Sequence, residues 1–163
     1  MNAHQAIQLS LDDASMITNM YLSDLTDADL LVRPVPGANH IAWQLGHLLQ
    51  SGYSIVDGVA PGVLPALPAD FAGKYTTETA ALDDPAAFHT KQVYMNAYEE
   101  QWSAIRKALE GMSEADLDKP APEQFSSFLK TVGHAFSMQA SHWLMHAGQW
   151  SVTRRKLGRT PLF

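Results

Sequence analysis

The sequence predicts an all-α protein, a four-helix bundle that forms one domain over residues 1–163. Four segments repeat apolar residues at intervals of three and four, which is the period of an amphipathic helix. Residue types that favour helix ends stand at the borders of these segments. A chain of 163 residues also has the usual length of one domain and can bury a sizeable core.

The borders of the four helices follow from capping signals. Asn39 is a good N-cap for the second helix. Asp84 followed by Pro85 has the pattern of an N-cap and a first helical position, and Gly111 suits the residue after the end of the third helix. The predicted helices span about 3–22, 40–57, 85–110 and 126–157.

The connections between these helices are long. Residues 23–38 and 112–125 are each expected to hold a short helical turn, and residues 58–83, rich in proline and glycine, form the longest connection. Loops of this length are uncommon unless they are functional or span the bundle. We therefore expect residues 58–83 to cross one end of the bundle and to form the wall or lid of any cleft.

A short internal repeat precedes the second and fourth helices. The segment Leu25–Leu30 resembles Met112–Leu117, and each leads through a proline turn into a helix that contains Gly-His, at His47 and at His134. The repeat indicates either two helix–turn–helix halves or simply the same capping turn used twice.

Composition excludes several classes of function. The net charge is −6 and no Lys or Arg precedes Arg33, which argues against a nucleic-acid partner. No apolar run is long enough to span a bilayer, so we expect no membrane partner and a cytoplasmic location. The chain has no cysteine, so any metal ion must be held by His, Asp or Glu.

The most informative motif is the pair His142 and His146 on the fourth helix. Residues four apart lie about 40° apart around a helix and roughly 6 Å apart along it, so two such imidazoles can share one metal ion. The same spacing also fits two ordinary histidines. Trp143 occupies the position at which His-Glu-x-x-His metalloproteases carry their glutamate, so the motif supplies no general base.

His47 is the best candidate for a third ligand. It lies beside the apolar stripe of the second helix, where an unpaired polar ring would be costly. His40, Trp43 and His134 are candidates for groups around the ligands, although His40 is expected to be solvated at the helix start. The chain has two further histidines, His4 and His89, and both are expected at the surface.

These residues together resemble the DinB-like superfamily. The segment from Arg33 to Gly37 precedes a helix that reads from Trp43 to His47, as in that family's second helix. His142-x-x-x-His146-Ala-Gly-Gln resembles the signature of the family's fourth helix, and residues 154–161 resemble its tail. The resemblance covers essentially the whole chain, and this chain departs from it at Trp143, where relatives often carry Glu, and at Met138, where some carry His.

The resemblance implies an up-down-down-up four-helix bundle. It implies a divalent metal ion, zinc or nickel with manganese as a further option, held by His47, His142 and His146. Some relatives are thiol S-transferases that use low-molecular-weight thiols, and others are isomerases or hydrolases.

Two functions fit the sequence. The first is a metal-dependent enzyme, a thiol S-transferase or hydrolase that acts on a small molecule by activating a thiol or water. The second is a non-catalytic metal-binding or stress-linked helical-bundle module. We also expect a homodimer, because the first and third helices carry aromatic residues such as Tyr21, Tyr94 and Tyr98 beyond one apolar stripe.

Overall fold

The computed structural model describes residues 1–162, which form six α-helices. Within this range no strand is present, and two segments meet only at an isolated bridge between Pro120 and Thr131. The predicted all-α fold is therefore confirmed. The helices are α1 (Ala3–Leu22), α2 (Asp27–Leu30), α3 (Ile41–Val59), α4 (Lys91–Glu110), α5 (Glu114–Leu117) and α6 (Val132–Lys156).

Hydrogen bonds between the four long helices fix their directions. Helices α1 and α6 run one way and α3 and α4 run the other way, so the bundle is up-down-down-up. The bonds join His4 to Leu109 and Tyr98 to Ser15 between α1 and α4, Trp150 to Gln44 between α6 and α3, and Arg154 to Tyr21 between α6 and α1.

The first long helix begins and ends where the sequence predicts, and the second begins one residue later. Asn2 caps α1 in a capping box with Gln5. At α3 the N-cap is His40 rather than the predicted Asn39, because the His40 ring accepts a hydrogen bond from the backbone N–H of Trp43. Side-chain capping by histidine is not among the usual signals, so the sequence could not indicate it.

The last two long helices begin later than predicted. Asp84 and Pro85 start only a short 3₁₀ turn, after which Phe88 is extended and α4 begins at Lys91. Helix α6 begins at Val132 rather than near residue 126. Backbone hydrogen bonds from Ala121 to Lys130 and from Val132 to Lys119 hold this region as a short antiparallel bridge instead.

The connection 60–90 runs along α3 and does not cross one end of the bundle. Because α3 and α4 are parallel, the chain must return along the whole bundle before α4 can start. Its contacts with α3 move steadily from the end of that helix toward its start: Phe71 meets Gln50, Tyr75 covers Gly46, Thr76 and Thr79 meet Trp43, and Leu82 meets His40.

The two copies of the short repeat fold as equivalent capping turns. Each forms a single-turn helix with a capping box, made by Thr26 and Asp29 in α2 and by Ser113 and Asp116 in α5. The similarity does not extend to the following histidines, since His47 is partly buried and His134 is exposed.

The core lies between the four long helices and contains all four tryptophans. Tyr94 and Tyr98 are also buried in it, at 0% and 3% exposure, so they are not free to form a dimer surface. Among residues 1–162, no helix combines the length and the apolar character needed to cross a lipid bilayer.

Candidate metal centre

Three histidine rings meet where α3 lies against α6. His47 lies near the middle of α3, and His142 and His146 lie one turn apart on α6. Each residue offers one ring nitrogen within 4.8 Å of the other two. The ring centroids are 5.1 Å apart for the pair on α6, and 5.2 and 5.6 Å from the His47 ring. The fold therefore brings together the three residues that the sequence singles out.

The group is half open to solvent. His146 is buried at 7% exposure, whereas His47 and His142 are intermediate. The three residues lie on two antiparallel helices, so the rings converge from two sides. A group of three ligands with an open side leaves coordination positions for water or substrate.

Burial keeps these imidazoles neutral. Burial and, to a smaller extent, repulsion from the neighbouring histidines together lower the pKa of His142 and of His146 to about 4. Burial lowers the pKa of His47 as well. Neutral imidazole is the form that binds a metal ion, so all three rings are in the binding form at neutral pH.

One buried nitrogen of the group has no partner within the protein. The Nδ1 atom of His146 is inaccessible to solvent and forms no hydrogen bond with any residue of the described chain. A buried polar atom without a partner costs about 1–3 kcal/mol. An all-imidazole group with such an atom fits a divalent ion that accepts nitrogen ligands.

Comparison with known proteins agrees with this geometry. A model of the DinB superfamily matches residues 10–150. The chain belongs to the DinB superfamily. Its fold resembles a solved structure described as the crystal structure of the conserved protein of locus from Enterococcus faecalis, with a TM-score of 0.71 and 18% identity over 98% of this chain and 99% of that chain. Identity this low shows the fold alone, and a search of curated proteins gives no match.

Two positions depart from the DinB pattern, and both side chains pack against apolar groups. Trp143 is 1% exposed, and its ring contacts Tyr98, Trp102 and Trp150 in the core. Met138 is partly buried against a small apolar cluster. Neither position therefore supplies a carboxylate or a fourth ring to the histidine group of this DinB protein.

Trp43 lies directly against the His47 ring. The two rings are stacked with centroids 5.0 Å apart and planes 5° apart. The indole N–H of Trp43 donates to the Thr76 carbonyl at 3.0 Å and contacts Thr79 Oγ1 at 3.3 Å. Trp43 thus restricts the orientation of His47 and links it to the long connection.

His40 also acts through Trp43, although it is not solvated as the sequence suggests. It is 0% exposed, its Nδ1 accepts from the Trp43 N–H, and its Nε2 donates to the Leu82 carbonyl. The Phe88 ring packs edge-on against it. Leu82 and Phe88 come from the connection before α4, so the sequence alone did not indicate that they would bury His40.

His134 is not part of the group. Its ring is exposed near the start of α6, where Nδ1 accepts a hydrogen bond from the Lys130 N–H. It lies eight residues before His142, which corresponds to about 12 Å along a helix. His134 is therefore not one of the groups around the three histidines, contrary to the prediction.

The two histidines expected at the surface are partly buried. His89 has only 9% of its side chain exposed, and it joins Asp70, Tyr75 and Tyr94 in one hydrogen-bonded network. His4 contacts Glu114 at 2.9 Å, with 23% of its side chain exposed. The carboxylate partners, Asp70 and Glu114, are distant in sequence, so no local pattern could have identified these contacts.

Proposed function

We propose that this DinB protein is a divalent-metal-dependent enzyme and that His47, His142 and His146 each bind the same ion through one ring nitrogen. The proposal rests on one observation, the convergence of three neutral imidazoles beside a solvent-facing side of the bundle. An ion of zinc or nickel, with manganese as the next candidate, would lower the pKa of a bound water or thiol toward neutrality.

The residues around the ligands have separable roles in this proposal. Trp43 holds the His47 ring by stacking, and Gln149 lies beside His146 on α6, three residues further along the helix. The apolar burial of His142 and His146 excludes water from one side of the group and keeps protons off the ligating nitrogens. Outer contacts of this kind fix ring orientation and commonly affect metal affinity by 10–100-fold.

The proposed reaction is transfer or hydrolysis with a small-molecule substrate. The chain has no cysteine, so a reacting thiol would come from a low-molecular-weight cosubstrate. A non-catalytic metal site would need a fourth protein ligand to close it. The group found among residues 1–162 has three members, which favours the open, reactive alternative.

Metal analysis followed by an activity screen tests the proposal. Protein purified without a His tag should contain about one divalent ion per chain. Thiol-transfer and hydrolysis assays should give activity that disappears on chelation and returns with zinc, nickel or manganese. Activity should rise with a midpoint of roughly pH 6–8, as the activated group loses its proton. Full activity in the metal-free protein would contradict the proposal.

The homodimer stays a prediction, but it needs a surface other than Tyr94 and Tyr98. Leu9 and Met16 are 56% and 52% exposed on one face of α1. They lie seven residues apart and so share that face. We propose this face as the contact between two copies, and light scattering at micromolar concentration tests it.

A further inference from the structure

A solvent-open cavity lies at the same α3–α6 junction, about one helical turn beyond the histidine group. Its volume is about 410 Å³, which is within the range of small-molecule sites. One wall is the turn before α3, with Pro34, Val35 and Asn39, and the other is formed by Gln44 of α3 and by Gln149 and Val152 of α6.

The helical register places this cavity next to the ligands. Gln44 precedes His47 by three residues, and Gln149 follows His146 by three. Because α3 and α6 are antiparallel, both steps lead toward the same end of the bundle. Each step of three residues is a little shorter than one helical turn, which is about 5.4 Å long. Gln149 lines the cavity and is a neighbour of His146 on α6 by its spacing of three residues, so the cavity lies beside the histidine group along this junction.

The chemistry of the lining favours an uncharged occupant. No charged side chain lines the cavity. Gln44 is fixed, since its Nε2 donates to the Asn39 carbonyl at 2.8 Å and its Oε1 accepts from the Trp150 indole at 2.7 Å. The side-chain amide of Asn39 forms no hydrogen bond within residues 1–162, so both its donor and its acceptor are available.

We propose that this cavity binds an uncharged, amide-bearing part of the substrate and places the reacting end at the histidine group. An amide ligand matches side-chain amides because each partner offers both N–H donors and a carbonyl acceptor. The apolar contacts of Pro34, Val35 and Val152 suit a small alkyl group on that ligand. A charged group would lose its hydration without gaining an ion pair. This inference rests on the proposed function in one respect only, namely that the molecule bound in the cavity is a substrate.

A charge series on one small scaffold tests the recognition. The probes are N-acetyl-L-leucinamide, which is neutral, N-acetyl-L-leucine, which is anionic, and L-leucinamide, which is cationic. Titration of the metal-free protein, followed by amide chemical shifts, should show at least about tenfold tighter binding of the neutral probe. The shifts should centre on residues 34–39 and 149–152. Equal or tighter binding of a charged probe, or shifts centred elsewhere, would overturn the proposal.

A pair of matched variants locates the site. Val152→Glu places a carboxylate on the cavity wall, whereas Val63→Glu places one beside a different groove, and the two valines have similar exposure at 42% and 38%. The first change should weaken binding of the neutral probe at least about tenfold, and the second should leave it unchanged. Gln149→Leu provides a second test that introduces no charge. Equal effects of the two glutamates would count against this cavity.

The same titration separates this inference from the proposed metal function. The His142→Ala variant should still bind the neutral probe, because His142 does not line the cavity. If the probe binds but the metal-loaded protein shows no activity, the subsite stands and the enzyme proposal fails. If the probe does not bind, the subsite fails, whatever the metal content.

Discussion

At the residue scale, His146 illustrates how burial keeps an imidazole in the neutral form that the proposed metal site requires. Its ring is 7% exposed, its pKa falls to about 4, and its Nδ1 has no partner in the described chain. A ring that is neutral and short of one hydrogen bond retains a lone pair for a cation. The loss of hydration that destabilises the protonated form therefore also favours the ligating form.

Replacement of one ligand tests the group directly. His142→Ala should weaken metal binding by more than about 100-fold, because loss of even an outer contact costs roughly 10–100-fold. Helicity should persist, since the side chain is at the border of the core. Metal content and circular dichroism measure the two effects. His134→Ala, on the same helix but exposed, is the matched control and should retain the metal. Metal loss in both variants would contradict the assignment.

The lowered pKa values also predict a pH dependence of stability. The unfolded chain binds a proton at His146 below about pH 6.5, whereas the folded chain binds it only near pH 4. The unfolded state thus holds more protons between these values, and the free energy of unfolding falls as pH decreases through this window.

Denaturant unfolding of the metal-free protein at pH 7 and pH 4.5 measures this effect. The loss of stability between the two conditions should be smaller in His146→Leu than in the wild type by on the order of 2 kcal/mol. A His134→Leu variant should behave like the wild type, since its ring is exposed. Identical losses in wild type and His146→Leu would show that the ring is not desolvated.

Local spacing is what makes the three histidines of the proposed site predictable from sequence. His142 and His146 share a helix face by their spacing alone, and His47 lies beside an apolar stripe. The burial of His40 and His89 could not be predicted in this way, because partners of both residues come from the long connection. No helical period relates His89 to Asp70, for example, so its burial follows only from the path of that connection.

At the element scale, the connection along α3 supports the site. Tyr75 packs over the backbone at Gly46, and Thr76 and Thr79 hold the indole of Trp43. The connection acts on His47 through Trp43, because the held indole stacks on that imidazole. The sequence indicated a long functional connection, but the parallel order of α3 and α4, which sets its path, depends on tertiary packing.

The close approach at Gly46 leads to a prediction about stability. A Cβ atom there would overlap the Tyr75 ring, so Gly46→Ala must displace that ring. Overpacking of this kind costs about 1–3 kcal/mol, more than alanine gains as a better helix former.

Gly148→Ala is the matched control, because a Cβ at Gly148 meets nothing within 4 Å. It should raise the free energy of unfolding by about 0.5–1 kcal/mol. Denaturant unfolding measures both variants. Equal effects of the two substitutions would contradict the packing of Tyr75 on α3.

At the scale of the whole molecule, helix order determines where a site can form. Helices α3 and α6 are antiparallel neighbours, so the middle of one faces the middle of the other. His47 therefore meets His142 and His146, which come from a distant part of the chain. Periodicity and capping predicted the number of helices and most of their extent. The late starts of α4 and α6 depend on 3₁₀ and bridge contacts that no capping signal records.

The apolar core predicts that the bundle folds without its metal ion. Trp102, Trp143 and Trp150 are fully buried between the long helices, away from solvent, whereas the histidine group lies at the edge of that core. Chelation should therefore leave far-ultraviolet circular dichroism unchanged. Added metal should raise the melting temperature, because binding to the folded state alone stabilises it by about 2.7 kcal/mol at 100 times Kd. The His142→Ala variant should show no such rise. Loss of helicity on chelation of the wild type would mean that the ion is part of the folding core, and the enzyme proposal would then lose its open, exchangeable site.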